Sequence, residues 1–350
     1  MPGNGDDIEK IDFNELKRRL ADPDYDEKKL ADYLVGERIP ENGLAPTLIP
    51  NPATVTGGTG GEGEVDLDSP RVRGKLGMGF LNGYYKNRRR RRFQRDIDEG
   101  RGKPILLAEG DSWFEYPIWL KDTIDCLMED HTIYCVSGAG DELEDMVNAT
   151  DPEYEDALRF IMERRRLDLR GILLSGGGND IVGETFHGFL KTFDAARPAE
   201  WHIDPQTFDP KFRQIADNYR AIIGDIQRTW PGIPIFVHGY DHAVPLPDQG
   251  FRIPPLDGWL GDWLRDRRIE DEAMQREIVK RMIDRFYDML REIVDDPAYP
   301  GVHLVDNRGV VGADWHDELH PNDDGYGRVA GRFREAMEKA GIVGVRDGAP

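Results

Sequence analysis

The sequence predicts an α/β protein: a three-layer, doubly wound parallel sheet with a mostly helical and partly disordered N-terminal extension. Three observations lead there. From Pro104 onward, short apolar runs alternate with stretches of helical periodicity. The runs are nearly continuous rather than alternating apolar and polar, which fits strands buried on both faces of a parallel sheet. The first hundred residues differ in composition from everything that follows.

The expected strands are Ile105–Ala108, Thr132–Val136, Gly171–Leu174, Ile233–Val237 and Val302–Val305. Helices are expected at 117–129, 142–164, 208–229, 267–294 and 323–340. The helical period is clearest in Phe212, Ile215, Tyr219, Ile222 and Ile226. Right-handed crossovers between parallel strands place helices on both faces of the sheet. Ligands of such folds bind at the carboxyl ends of the strands, so the residues just after each strand matter most.

Before Pro104 the chain divides by composition. Residues 1–40 form a short helical region, with one apolar stripe of Ile8, Ile11, Leu16 and Leu20 and a second of Leu30, Tyr33 and Leu34. Asp22-Pro23-Asp24 separates the two, because proline cannot continue a helix. Residues 41–70 are rich in Gly, Pro and Thr. Their Thr56-Gly57-Gly58-Thr59-Gly60-Gly61 stretch reads as a flexible linker. Residues 71–103 are basic, and 104–345 form the sheet domain.

The 350 residues carry a net charge of −21, and the charge is uneven. Residues 71–103 hold 12 basic and 3 acidic side chains, including Arg88-Arg89-Arg90-Arg91-Arg92, whereas residues 1–70 hold 7 and 16. An acidic body repels nucleic acid and anionic membranes at long range, so nucleic acid is not an expected partner. The basic segment reads first as a solvated helix end that pairs with the acidic body of the same protein. Its alternative is a docking strip for an anionic partner at Arg88 to Arg92. No apolar run approaches the ~20 residues a membrane-spanning helix needs. The N-terminus has neither a basic start nor an apolar stretch, so a secretory leader is not expected and a cytoplasmic location is the default. Two cysteines, Cys126 and Cys135, read as buried thiols rather than a disulfide.

The strand ends hold the chemistry. Glu109-Gly110-Asp111-Ser112-Trp113 follows the first strand and Ser137-Gly138-Ala139-Gly140-Asp141 the second. Gly176-Gly177-Gly178-Asn179-Asp180 follows the third, and Asp314-Trp315-His316-Asp317-Glu318-Leu319-His320-Pro321 comes after the fifth. A serine hydroxyl is a poor nucleophile until a base takes its proton. His320 can be that base. Asp317, three residues earlier, can hold the imidazole tautomer, with Asp314 close by as an alternative. Asp111 and Asp180 read as carboxylates that fix their own loops by accepting backbone N–H bonds.

Four blocks, Gly110-Asp111-Ser112, Gly140-Asp141, Asn179-Asp180 and Asp317-x-x-His320-Pro321, resemble those of the SGNH (GDSL-type) hydrolase superfamily. The resemblance covers roughly 104–340. It implies a flavodoxin-like sheet, hydrolysis of esters or thioesters, and a Ser112, His320, Asp317 triad acting through an acyl-enzyme. It also implies an oxyanion hole from the Ser112 N–H, the Gly140 N–H and the Asn179 side chain, with Gly138 a plausible substitute for Gly140. No cofactor or metal is implied. The sequence departs from the family pattern at Trp113, where a smaller residue is usual, and at Pro117, which delays the following helix. A carbohydrate O-deacetylase or an acyltransferase would use the same residues. A third reading is an interaction protein recruited through its N-terminal region.

The expected partner is a small ester, with Trp113, Tyr240 and Trp259 as substrate-binding residues. The stretch Tyr240–Arg268 is long for a connection and rich in Pro and aromatics, so it reads either as a wall over the site or as a packed surface excursion. Trp201-His202 could close the other side. His238, His242, His316 and Asp241 match no zinc spacing and read as structural or substrate-shaping residues.

Overall fold

A computed structural model describes residues 8–22, 25–37, 47–56, 78–116, 120–149, 152–246 and 259–345. The glycine-rich stretch 57–61, Pro117 and residues 247–258 of the long connection lie outside them.

The N-terminal unit is mixed rather than mostly helical. Strand β1 (Ile11–Asp12) leads into the helix Phe13–Ala21, which Asp12 caps by accepting from the Glu15 N–H at 2.8 Å. That helix stops at Asp22, immediately before Pro23. After the short helix Glu27–Leu30, β2 (Leu34–Glu37) pairs antiparallel with β3 (Thr47–Pro50), and β4 (Val55–Thr56) pairs parallel with β1. Strands β3 and β4 fall inside the expected linker 41–70. Their Pro- and Thr-rich composition hides two edge pairings of two to four residues. Leu16, Leu20, Leu30, Tyr33 and Val55 form a separate small core that closes on Tyr85 of the helix Met78–Asp98.

The main sheet has five parallel strands: β5 (Ile105–Glu109), β6 (Thr132–Cys135), β7 (Leu169–Leu174), β8 (Ile235–His238) and β9 (Val302–Val305). Their order is β6-β5-β7-β8-β9. This is the flavodoxin-like order, with its switch point beside β5. The helices Leu143–Asn148, Pro205–Thr229 and Glu272–Val294 pack one against the next, while Asp323–Lys339 packs on Thr123–Leu127. Met78–Asp98 lies along β6 and covers a strand edge that would otherwise be open to pairing.

All five expected strands are present, shifted by at most two residues at their ends. Helix boundaries differ more. The expected helix 142–164 is interrupted, because Pro152 caps a new helix, Glu153–Leu158, that runs on as a wider π-helical turn to Arg164. The expected helix 117–129 begins only at Thr123, where Asp122 accepts from the Ile124 and Asp125 N–H groups at 2.9 and 3.1 Å. The expected helix 267–294 starts at Glu272, capped by Asp271. Arg268 before it, at φ 62°, ends the separate helix Gly261–Asp266. Cys126 and Cys135 are free and buried. Among the described residues, no helix is long and apolar enough to cross a membrane.

Candidate active site

The turn after β5 needs glycine at 110, because a Cβ there would lie 2.6 Å from the Ser175 Cβ. This tight passage presents Ser112 at the carboxyl end of the strand. The Ser112 Oγ lies 2.8 Å from His320 Nε2. His320 Nδ1 lies 2.9 and 3.0 Å from the two oxygens of Asp317. With Nδ1–H donating to Asp317, Nε2 is left to accept from the serine.

Asp317 and His320 are fixed by their own short loop. Asp317 Oδ1 also accepts from the Leu319 and His320 N–H groups at 2.9 and 2.8 Å. Burial pushes the Asp317 carboxyl up, but His320 and those N–H groups more than offset it, so it lies below the ordinary range. Asp314 points elsewhere and pairs with Arg328, so Asp317 is the carboxylate that faces His320. Trp113 Nε1 donates to the Leu319 carbonyl at 3.1 Å, which ties the serine turn to the histidine loop.

Beneath the serine runs a buried polar network. Asp111 accepts from the Trp113 N–H at 3.1 Å, the Ser175 hydroxyl at 2.7 Å and the Tyr240 hydroxyl at 2.5 Å. Burial raises the Asp111 carboxyl, against these three donors. His238 lies 2.9 Å from the Ser175 Oγ, and its Nδ1 accepts from the Tyr240 N–H at 3.3 Å. Burial pushes the imidazole down to about 3, so His238 is neutral and structural. Tyr240 holds an uncommon left-handed conformation for a non-glycine residue, φ 68°. Its hydroxyl donates to Asp111 and accepts from the Gly178 N–H at 2.9 Å, so both of its roles are taken within the protein.

The loop after β6 runs beside the serine. The Gly138 N–H donates to the Gly110 carbonyl at 2.9 Å. Gly140 is solvent-exposed at φ 87°. Asn179 Nδ2 donates to the Asp141 carbonyl at 2.9 Å. Asp180 accepts from the Leu143 N–H at 2.9 Å and pairs with Lys211, which makes it a loop anchor.

A pocket lined by Ser112, Asn179 and His320 lies beside the relay. Much of its lining is apolar: Ile181, Val182 and Phe186, with Val279, Met282 and Ile283 of the helix Glu272–Val294. Trp113 and Tyr240 line it; Gly140 and Trp259 do not. The Trp259 ring instead stands edge-on to His320, centroids 5.6 Å apart. Trp201 and His202 are also absent from the lining. His202 is buried and organises its own loop, accepting from the Asp194 N–H at 3.1 Å. His242 pairs with Asp284, and His316 packs its ring on Tyr116. Among the described residues, no three His, Cys, Asp or Glu side chains are placed to share a metal ion.

Sequence reasoning missed two sets of residues. Glu318 sits between Asp317 and His320, is fully buried, and accepts from the Leu246, Leu260 and Gly261 N–H groups at 2.6, 2.9 and 2.8 Å. It therefore clamps both described ends of the long connection to the histidine loop. Asn82 and Arg89, from the basic segment, bind the loops beside the site from the helix Met78–Asp98, at the Ala139 and Phe114 carbonyls.

The arrangement is a doubly wound parallel sheet that holds a serine, a histidine and an aspartate within hydrogen-bond reach at its switch point. Residues 99–328, about two thirds of the chain, match the GDSL-like lipase/acylhydrolase family. The chain belongs to that family and is a hydrolase acting on ester bonds. No curated protein sequence matches it. Among solved structures, it resembles a GDSL-like lipase-type protein from Bacteroides ovatus at 13% identity, TM-score 0.38, covering 69% of this chain and 55% of that one. It thus spans about half the length of that protein. It also resembles a carbohydrate acetylesterase from Sinorhizobium meliloti (13% identity, 69% and 100% covered, TM-score 0.36). A third likeness is to a carbohydrate esterase family 3 protein from Talaromyces cellulolyticus (12%, 68% and 97%, TM-score 0.36).

Proposed function

We propose that the protein is a serine esterase for small esters with an apolar acyl group. The observation that supports this most is the relay Ser112 Oγ–His320 Nε2–Asp317, with bonds of 2.8 and 2.9 Å, at the mouth of an apolar cavity. As the Ser112 Oγ attacks the ester carbonyl, its proton passes to His320 Nε2. The resulting imidazolium is stabilised by Asp317. His320 then gives that proton to the departing alkoxide, leaving an acyl group on Ser112. Water repeats the sequence and releases the acid.

The negative charge on the tetrahedral oxygen needs donors already in place. The reading assigns these to the Ser112 N–H, the Gly140 N–H and Asn179 Nδ2. Gly140 is preferred to Gly138 because the Gly138 N–H is occupied by the Gly110 carbonyl. The wall of Val279, Met282 and Ile283 supports an acyl chain rather than a sugar, whose hydroxyls would be stranded against it.

A series of p-nitrophenyl esters tests the substrate. Each buried methylene is worth about 0.8 kcal/mol, so kcat/KM for butyrate should exceed that for acetate by roughly tenfold. Met282→Trp, which fills the wall, should remove that preference. Equal or better hydrolysis of acetate would overturn the apolar-acyl reading, and turnover surviving in Ser112→Ala would overturn the serine mechanism.

A further inference from the structure

We infer that Asn82, on a helix outside the region matched to the family, is a positioning residue that aims the Gly140 N–H at the reacting ester. This rests on the proposed oxyanion role of Gly140. Asn82 is buried, and its Nδ2 donates to the Ala139 carbonyl at 3.0 Å. The Ala139 carbonyl and the Gly140 N–H belong to one peptide group. In a trans peptide the two point in opposite directions. Holding the oxygen toward the helix Met78–Asp98 therefore turns the N–H the other way. The same bond polarises the peptide and makes its N–H a stronger donor.

The peptide needs this hold. Gly140 sits at φ 87° and has no Cβ to restrict it, so the preceding peptide can rotate readily. Its neighbours are fixed on either side. Gly138 donates to the Gly110 carbonyl at 2.9 Å, and the Asp141 carbonyl accepts from Asn179 at 2.9 Å. The Ala139–Gly140 peptide is the remaining link, and Asn82 is the side chain that binds it. Stability alone explains Asn82 poorly, because its Oδ1 is buried with no hydrogen-bond partner among the described residues. A buried apolar residue would avoid that orphan.

Asn82→Ala and Asn82→Asp in the full chain test the inference, with Ser112→Ala and Asn179→Ala as references. Alanine removes the donor. Aspartate has the same shape, but its carboxylate repels the Ala139 oxygen and attracts the N–H, which favours the flipped peptide. The expected result is a fall in kcat of roughly tenfold for alanine and more for aspartate, with KM within about twofold and unchanged melting for alanine. The aspartate defect should ease as pH is lowered and the carboxyl takes a proton. A purely structural role would move the melting temperature and would not rank the two variants this way. If both Asn82 variants keep kcat within twofold while Asn179→Ala loses activity, the inference is overturned and the oxyanion reading stands. If Asn179→Ala is also unaffected, the oxyanion reading itself fails.

Discussion

Replacing Ser112 by alanine should abolish ester turnover and leave the fold where it was. The hydroxyl is the only atom removed. Its partner is His320 Nε2 at 2.8 Å, at the mouth of the cavity, where water can take its place. No buried charge is exposed and no core volume is lost, so stability should change by less than about 1 kcal/mol. Catalysis should fall on the order of 10⁴-fold or more, because no other group can form the acyl-enzyme. Hydrolysis of p-nitrophenyl butyrate, measured beside a thermal melt by circular dichroism, gives both numbers. A fluorophosphonate should add one equivalent of mass to the native protein and none to the variant. A variant that keeps a tenth of native activity would mean that Ser112 is not the nucleophile.

Much of this site was legible in the sequence because its parts are local. Ser112 follows one strand directly, and Asp317 and His320 share one four-residue segment. A helix over 267–294 is expected from the sequence, but the part that its segment Glu272–Val294 plays in lining the pocket is not. Val279, Met282 and Ile283 recur at the spacing of any core-facing stripe, and nothing in that spacing says which part faces a cavity. For the glycine after β6 the resemblance points to Gly140 with Gly138 as a substitute, and spacing alone cannot say that the Gly138 N–H is bound to the Gly110 carbonyl. The basic segment is a helix that pairs with acidic residues of the same protein, as expected, but it is not a solvated one. Five consecutive arginines look like a charged surface, yet successive helix residues advance by about 100°, so such a run covers the whole circumference and must send some members inward. Arg89 is buried, Arg88 bonds the Asp22 and Tyr25 carbonyls, Arg90 lies over the Tyr134 ring and Arg92 donates to the Met128 carbonyl. Asn82 left no signal at all, since a lone asparagine on a helix has no pattern.

Arg89 carries the largest expected effect on stability. It is 3% exposed. Its guanidinium donates to the Phe114 carbonyl and to Asp122, both at 2.5 Å, and pairs with Asp125 at 3.2 Å and Glu115 at 3.6 Å. Phe114, Glu115 and Asp122 lie just beyond the serine turn, so this one side chain ties the helix Met78–Asp98 to it. Burial pushes the Asp122 and Glu115 carboxyls up, and Arg89 is the main opposing charge. Arg89→Met keeps most of the volume but leaves these carboxylates buried without their cation, which should cost about 3–5 kcal/mol. The sign with pH follows. Without Arg89 the folded-state carboxyls rise still further above their unfolded values, so stability falls as pH rises from the unfolded range through the folded one. Urea unfolding should therefore show a larger deficit at about pH 8 than at about pH 5.5. Adding Asp122→Asn to Arg89→Met should recover part of the loss, which lost packing alone would not allow. Arg89→Lys, with the charge but not the fork, should fall between the native protein and Arg89→Met and supplies a folded variant if methionine does not. A deficit below about 1 kcal/mol, or one equal at both pH values, would show that the guanidinium is not what holds the helix to the turn.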